Sequence, residues 1–208
     1  MVRTNLARIA VLSLLALSQL LPLIAEDKLS QAIELYESKK YRDAETTLRE
    51  VLVEDSNNSR ARHTLGLVLL ELDNAGEAAA ELQKAVELGP ATDKLQVDLA
   101  RANVKLKEWD KAEAALKAAE EIKSDNPDIP YYRGMVAAAH KDYAASAANF
   151  EKAIELNPNN AYAHYYAGLA YNALKRSDKT VQHLDAFLRL APNAPEAKKV
   201  QSLLRSFR

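Results

Sequence analysis

The sequence predicts an all-α fold built from one helical hairpin that is repeated along most of the chain. The 208 residues are 48% hydrophobic and 27% charged, which is typical of a folded protein. The segments Ala80–Pro90 and Asn149–Pro158 are near copies, and Pro90, Pro158 and Pro192 set a period of 34 residues. Within each period, two apolar patterns of helical spacing are separated by a short turn, so the repeating unit is a helix–turn–helix.

The first 25 residues have the features of a secretory signal peptide. Arg3 and Arg8 precede an apolar run over residues 9–21, Pro22 ends that run, and acidic residues follow Ala25. This run is shorter than the ~20 residues that a membrane span needs, so we expect cleavage near Ala25 and an exported, periplasmic or secreted protein. An uncleaved N-terminal anchor, with the rest of the chain outside the cytoplasm, is the alternative. Loss of the two arginines changes the net charge from −1 to −3.

The repeat frame covers the following chain without an insertion or deletion. We place the five units at 25–58, 59–92, 93–126, 127–160 and 161–194. In the fourth unit, the helical patterns cover Tyr131–Ala139 and Ala144–Leu156, and the residues around Pro158 end the second helix. Neither helix of a unit can bury its apolar face alone, so the units must stack.

Small residues predict where the two helices of each unit touch. The eighth and twentieth positions are small in every unit, which lets two helix axes approach closely, and the large apolar twenty-fourth position fills the surrounding space. The eighth position is Ala32, Gly66, Ala100, Gly134 and Gly168 in turn, the twentieth is Ala44, Ala78, Ala112, Ser146 and Thr180, and the twenty-fourth is Leu48, Leu82, Leu116, Phe150 and Leu184.

These residues resemble the tetratricopeptide repeat (TPR), whose eighth, twentieth and twenty-seventh positions are small and whose thirty-second is often proline. The resemblance covers residues 25–194. It implies a right-handed superhelical solenoid of five repeats, with a concave groove lined by the first helix of each unit. It also implies binding of protein or peptide partners in that groove. The departures are heaviest in the first and fifth units, where Val51 and Phe187 occupy the twenty-seventh position, as expected of end repeats.

Residues 195–208 predict one further helix. Pro195 suits a first helical position. The apolar residues Ala197, Val200, Leu204 and Phe207 then share one face. We interpret this segment as a capping helix that covers the apolar end of the last repeat, and its basic residues leave a membrane-surface or partner-binding helix as the alternative.

The sequence lacks the motifs of an enzyme or a metal site. Without cysteine there is no disulfide, thiol nucleophile or cysteine-bound metal, and no glycine-rich phosphate loop is present. His63, His140, His164 and His183 lack metal-ligand spacing, and the repeat period gives no reason for them to converge. We expect His164 to take a core or half-buried packing position. We predict no enzyme activity, no cofactor and, given the near-neutral charge, no nucleic acid partner.

The candidate binding residues are those that the resemblance places in the groove. Those in the last two units are Tyr131, Tyr132, Met135, Tyr162, Tyr165, Tyr166, Leu169 and Asn172. Tyrosine offers a large contact area with a polar tip at low entropic cost. Tyr162 and Tyr166 lie one above the other on a helix face, and we favour partner contact for both. Groove contact and packing between repeats both stay open for Tyr131 and Tyr165.

The earlier part of the groove is charged, with Lys94, Arg101 and Lys105 as candidate contacts. Arg101 and Lys105 lie four residues apart on one helix face and would suit a carboxylate, with plain solvation as the alternative. Co-chaperone members of the family hold a C-terminal carboxylate with lysine at the fifth position and asparagine at the ninth. Neither residue occurs at these positions here, so we expect no binding to chaperone tails.

The leading hypothesis is an exported, non-enzymatic scaffold of the cell envelope that binds a peptide or protein partner in the groove. One alternative is a structural protein that self-associates or bridges envelope complexes through the edges of the solenoid. Another is binding of glycan or cell-wall fragments on the tyrosine rings.

Overall fold

A computed structural model describes residues 26–207 of the protein, so the predicted signal peptide and its cleavage site lie outside the described residues. Over residues 26–207 the regular structure is α-helical, with no strand. The prediction of an all-α helical repeat is confirmed. None of the helices in this part of the chain combines the length and the apolar character that a membrane crossing requires.

Two helices fall within each 34-residue unit of the repeat frame. The first, α1, covers residues 26–37. The others are α2 Tyr41–Glu54, α3 Ser59–Glu71, α4 Ala75–Leu88, α5 Asp93–Leu106, α6 Trp109–Ile122, α7 Asp128–Ala139, α8 Tyr143–Leu156, α9 Ala161–Ala173, α10 Ser177–Leu190 and α11 Ala197–Arg205. Side chains of Asn58, Asn74, Thr92, Asp142 and Asn160 accept hydrogen bonds from backbone N–H groups at the starts of five of these helices, which satisfies donors that the helix leaves unpaired.

The helices form two compact units that divide between Pro90 and Ala91. In the first unit, α3 packs on both α2 and α4. In the second unit, the hairpins are α5–α6, α7–α8 and α9–α10, and α7 also packs on α5 and α9. The backbones of the second helices α6, α8 and α10 stay farther apart in this unit, although side chains of α8 and α10 meet through Glu151 and His183. Because the first helices approach each other more closely, α5, α7 and α9 form the inner, concave layer of the second unit.

The twentieth and twenty-fourth positions are fully buried in all five repeats, and the eighth position faces the twenty-fourth. A Cβ atom added to Gly66 would lie 2.5 Å from Leu82 Cγ, and one added to Gly134 would lie 2.8 Å from Phe150 Cζ. The glycines therefore permit an approach between the paired helices that a side chain would obstruct.

Every hairpin turn contains a non-glycine residue in the left-handed conformation. These residues are Lys39, Asp73, Lys107, Lys141 and Lys175, with φ between 58° and 61°. The residue after each of them donates its backbone N–H to the carbonyl oxygen of the residue five positions earlier, for example Asp142 N to Ala137 O at 3.0 Å. This is the Schellman arrangement, which closes the end of a helix.

Two predicted helix starts are wrong by two residues or more, and α8 begins at Tyr143, one residue before the predicted Ala144. Helix α7 begins at Asp128 rather than Tyr131, because Pro130 lies in the first turn, where the missing N–H is not needed. Helix α11 begins at Ala197, so Pro195 is not its first residue. Instead the Ala197 N–H bonds to Ala194 O at 3.0 Å. This bond closes a turn whose second position suits the fixed φ of Pro195.

Helix α11 packs on α10 and closes the apolar end of the second unit. Val200 and Leu204 are buried against Tyr165, Leu184 and Phe187. The apolar face of α11 is therefore occupied by the protein itself, and its lysines and Arg205 lie on the exposed side.

Candidate functional site

Five tyrosines of α7 and α9 form one continuous group of aromatic rings, which we call the tyrosine cluster. Its members are Tyr131, Tyr132, Tyr162, Tyr165 and Tyr166. Consecutive rings have centroids 5.1 to 6.4 Å apart, with mostly tilted or edge-to-face geometry, which is the favoured arrangement for aromatic pairs. Phe150 of α8 and Phe187 of α10 support the cluster from behind.

Tyr131 and Tyr166 connect the fourth and fifth repeats. Their ring centroids lie 6.1 Å apart, and both rings contact Phe150, on which Tyr166 stacks at 5.6 Å with 19° between the planes. Both residues are half-buried. Burial, and after it the neighbouring tyrosines, raises the pKa of the Tyr131 hydroxyl well above its ordinary value. These two rings therefore pack between repeats while presenting part of their surface to the groove.

Tyr162 is the exposed member of the cluster. It is 37% exposed, and its hydroxyl donates a hydrogen bond to Glu196 Oε2 at 3.1 Å. Its ring lies 5.9 Å from Phe187 and 6.4 Å from Tyr166. The ring therefore contacts two aromatic neighbours and is hydrogen-bonded at its tip, so little side-chain freedom remains to be lost when a partner binds.

Tyr165 is the buried member of the cluster. It is 8% exposed and belongs to the buried group formed with Leu184, Phe187, Val200 and Leu204. Of the two roles that the sequence leaves open for Tyr165, the structure shows packing, because α11 covers the ring.

The remaining apolar candidates contribute mainly to packing. Tyr132 and Met135 are half-buried against Val104, Ala112 and Val136, where the third and fourth repeats meet. Leu169 packs against the buried group beneath α11, and Asn172 is exposed near the end of α9. The structure therefore brings the tyrosines together and places Asn172 at the margin of this surface.

The charged candidates lie on α5. Lys94 and Lys105 are exposed and Arg101 is half-buried. Arg101 interacts electrostatically with Asp128 of α7, as does Asp98. Both Arg101 and Lys105 take part in interactions within the protein. This part of the surface consequently carries charges of both signs rather than an isolated cationic pair.

A polar network that the sequence reasoning missed lies at the junction of α8, α9 and α10. The Nδ1 atoms of His164 and His183 are 3.2 Å apart, although the repeat period gave no reason for histidines to meet. His183 Nε2 lies 3.1 Å from Glu151 Oε1, and the Tyr171 hydroxyl donates to the same oxygen at 3.1 Å. His164 Nε2 lies 3.2 Å from the Pro158 carbonyl oxygen.

The signal for this network was present in the sequence. His164 and His183 occupy the fourth and twenty-third positions of the fifth repeat, and Arg62 and Glu81 occupy the same positions of the second. Arg62 and Glu81 carry opposite charges and form an ion pair, so this spacing identifies residues that meet. Across residues 26–207, no group of three metal-ligating side chains comes together.

Two family models match this chain. One is described as anaphase-promoting complex, cyclosome, subunit 3, and matches residues 28–119. The other is described as tetratricopeptide repeat and matches residues 131–195. The comparison with curated protein sequences found no match.

Several solved structures share the fold. The crystal structure of YrrB, described as a TPR protein with an unusual peptide-binding site, is 23% identical, covers 84% of this chain and 90% of its own, and gives a TM-score of 0.63. TTC0263, a thermophilic TPR protein of Thermus thermophilus, is 20% identical. The match covers 88% of this chain and 98% of its own, with a TM-score of 0.69. A chain of the Cut9–Hcn1 hetero-tetramer of the APC/C is 19% identical. The match covers 90% of this chain and 39% of that chain, with a TM-score of 0.76.

The paired helices, the small residues at their contacts and these matches lead to one assignment. The chain belongs to the tetratricopeptide repeat family.

Proposed function

We propose that the protein is a non-enzymatic scaffold that binds a peptide or a peptide-like segment of a protein partner on the inner layer of its second unit. The observation that carries this proposal is the tyrosine cluster, and above all Tyr162. Binding energy concentrates in aromatic residues that offer a large, rigid contact surface, and Tyr162 is exposed and contacts the rings of Tyr166 and Phe187.

TPR proteins mediate contacts between proteins, and one structural neighbour is described as having a peptide-binding site. This supports binding over catalysis as the role of the surface. The partner that fits it best has an apolar or aromatic segment for the tyrosine cluster. It also has polar groups of mixed charge for the exposed Lys94, Lys105 and Asp128, because complementary charges orient a partner.

Peptide selection would test the surface directly. Peptides would be selected from a random display library on residues 26–208, and the best binder would be titrated against wild type, Tyr162→Ala and Tyr162→Phe. We expect about tenfold or greater weakening for Tyr162→Ala, as for an aromatic hot spot, and a much smaller change for Tyr162→Phe, which keeps the ring.

Gln182→Ala is the matched control, since Gln182 is exposed on the outer helix α10. Circular dichroism would verify that every variant is folded. Equal affinities of the folded Tyr162→Ala variant and wild type for every selected peptide would overturn the assignment of the surface.

We also propose that the protein acts outside the cytoplasm, as part of a cell-envelope assembly. This proposal depends on the features of residues 1–25 in the sequence. Mass spectrometry of the protein from its native source would determine the N-terminus. A mature chain that begins at Glu26 is expected, whereas an intact Met1 would support a membrane-anchored form.

A further inference from the structure

The hydrogen bonds around His164 and His183 require a definite number of protons. The Pro158 carbonyl oxygen can only accept, so His164 Nε2 must carry a proton to bond with it. The ionised Glu151 carboxylate likewise accepts, so His183 Nε2 must also carry one. One further proton is needed between the two Nδ1 atoms at 3.2 Å, because two lone pairs would repel and two protons would clash.

Two neutral imidazoles carry two ring protons between them, and this arrangement needs three. We propose that His164 and His183 form a proton-dependent clamp, in which one extra proton lies between their Nδ1 atoms and fixes the last repeat to α8. In this state His164 is an imidazolium that donates to His183 Nδ1 and to Pro158 O. His183 is a neutral acceptor at Nδ1 that donates through Nε2 to Glu151.

The second repeat supplies a permanently charged version of the same arrangement. Arg62 donates to the Ser56 carbonyl oxygen through Nε at 3.1 Å and also pairs with Glu81. The sequence separations are the same in both repeats. The carbonyl residue lies six residues before the cation, as in Ser56–Arg62 and Pro158–His164. The acceptor lies nineteen residues after the cation. His164 thus occupies the place of the arginine and His183 that of the carboxylate. The essential difference is that histidine can lose its charge near neutral pH.

The surroundings of the pair favour a single shared charge. His183 is 2% exposed, and its ring stacks on Tyr171 at 5.5 Å with 11° between the planes. Burial lowers the pKa of His183 while Glu151 opposes this effect, so a neutral His183 is the expected partner. Glu151 from α8 supplies the opposite charge, and Lys179 from α10 lies 3.4 Å from that carboxylate.

Two further charges act on Tyr171, whose ring stacks on His183. Arg176 and Asp178, at the turn between α9 and α10, act on the Tyr171 hydroxyl in opposite directions. They also pair with each other at 3.5 Å. Neither residue is among the groups that shift the pKa of His183.

The clamp has a pH window that is bounded on both sides. Because the pKa of His183 is lowered in the folded protein, the unfolded chain binds more protons as the pH falls below about 6.5, and stability decreases there. As the pH rises, loss of the extra proton leaves His164 with one ring proton for two acceptors, so one hydrogen bond breaks. The fifth repeat, which carries Tyr162 and Tyr166, is then held less firmly.

Nuclear magnetic resonance of the ¹⁵N-labelled protein, residues 26–208, tests the clamp. We expect a pH within the range from 5 to 8 at which both His164 nitrogens are protonated, His183 is the Nε2–H tautomer, and a scalar coupling links the two Nδ1 atoms. Neutral His164 throughout pH 5 to 8, with the contact intact, would overturn the proposal. A shift of both Nδ1 signals on adding one equivalent of Zn²⁺ at the pH of full proton occupancy would overturn it too, since the pair would then be a metal site.

Hydrogen exchange measures the consequence for the repeat. Exchange rates are first corrected for the intrinsic effect of pH on amide exchange. At pH values above the window of the clamp, the protection of the α9 and α10 amides should then fall about fivefold, as for the loss of one hydrogen bond. His164→Arg, which copies Arg62, should abolish that fall, and His140→Gln, at an exposed histidine, should leave it unchanged. A fall of the same size in His164→Arg would overturn the proposal, and the nuclear magnetic resonance result decides it independently should that variant misfold.

Discussion

Single residues in the hairpin turns carry a conformational cost that repeats along the chain. In all five turns a lysine or aspartate adopts φ near 60°, a conformation that costs a non-glycine residue roughly 1–2 kcal/mol. The Schellman hydrogen bonds and the packing of the two helices hold it there. Turn geometry in this protein is therefore imposed by the helices on either side rather than by the residue that adopts it.

Replacement of Lys141 by glycine should stabilise the protein. Lys141 is exposed, and glycine adopts its conformation without a steric penalty, although it loses more backbone entropy on folding. We expect the free energy of unfolding to rise by about 0.5–1 kcal/mol, measured by urea denaturation. Lys152→Gly in the interior of α8 is the contrasting control and should lower it by a similar amount. A loss of stability in Lys141→Gly would contradict this account of the turn.

Replacement of Gly134 by alanine should destabilise the fourth repeat. The new Cβ atom would lie 2.8 Å from Phe150 Cζ, and Phe150 is fully buried and stacked on Tyr166, so it has little room to move. We expect a net loss of about 1–2 kcal/mol by urea denaturation, since overpacking outweighs the gain in helix propensity.

A second substitution tests the cause. The first and third repeats combine alanine at the eighth position with leucine at the twenty-fourth, so Phe150→Leu should relieve the crowding caused by Gly134→Ala. The double variant should be more stable than the sum of the single changes implies, by more than about 0.5 kcal/mol. Additive effects would show that the two side chains do not compete for the same space.

At the level of a single element, α11 acts as a cover. Leu204 is 4% exposed, beside the rings of Tyr165 and Phe187. Leu204→Ala should therefore lower the free energy of unfolding by about 2–3 kcal/mol. Ser202→Ala, at an exposed position of the same helix, should change it by less than about 0.5 kcal/mol. Equal shifts of the urea midpoint in Leu204→Ala and Ser202→Ala would contradict the role of α11 as a cover.

Helix α9 combines two functions that its sequence does not separate. One part of its surface carries Tyr162 toward the groove, while Tyr165 and His164 are buried or half-buried against neighbouring helices. Substitutions in α9 must therefore be chosen by exposure. Tyr165→Ala would test packing, and Tyr162→Ala tests binding.

For the whole molecule, the two compact units predict independent stability. Residues 91–208 contain their own buried groups and the helix α11 that closes their end. As expected for a repeat array whose stability is a sum of local terms, this fragment should be helical by circular dichroism and unfold cooperatively. A fragment 110–208, which lacks α5 and so exposes Ala112 and Leu116, should unfold at a lower urea concentration. Equal midpoints would contradict the assignment of the core.

The sequence by itself determined the repeating helical hairpin, because the same spacing rule acts in every unit. Wherever two helices pack this closely, the eighth and twentieth positions must be small and the twenty-fourth must be large. This requirement recurs in every unit, so the amino-acid sequence shows it as a pattern. The tyrosines of the candidate site were selected from the groove positions that the resemblance to the tetratricopeptide repeat implies, and not from the periodicity itself.

The tertiary structure alone decided which of those tyrosines are exposed and which polar groups meet. Tyr162 and Tyr165 lie on the same helix with the same chemistry, and they differ because α11 covers one of them. His164 and His183 are nineteen residues apart, and their contact depends on how α9 and α10 pack and on where α8 places Glu151. Periodicity records what is common to all repeats, whereas exposure and polar contacts depend on the particular neighbours that each repeat meets.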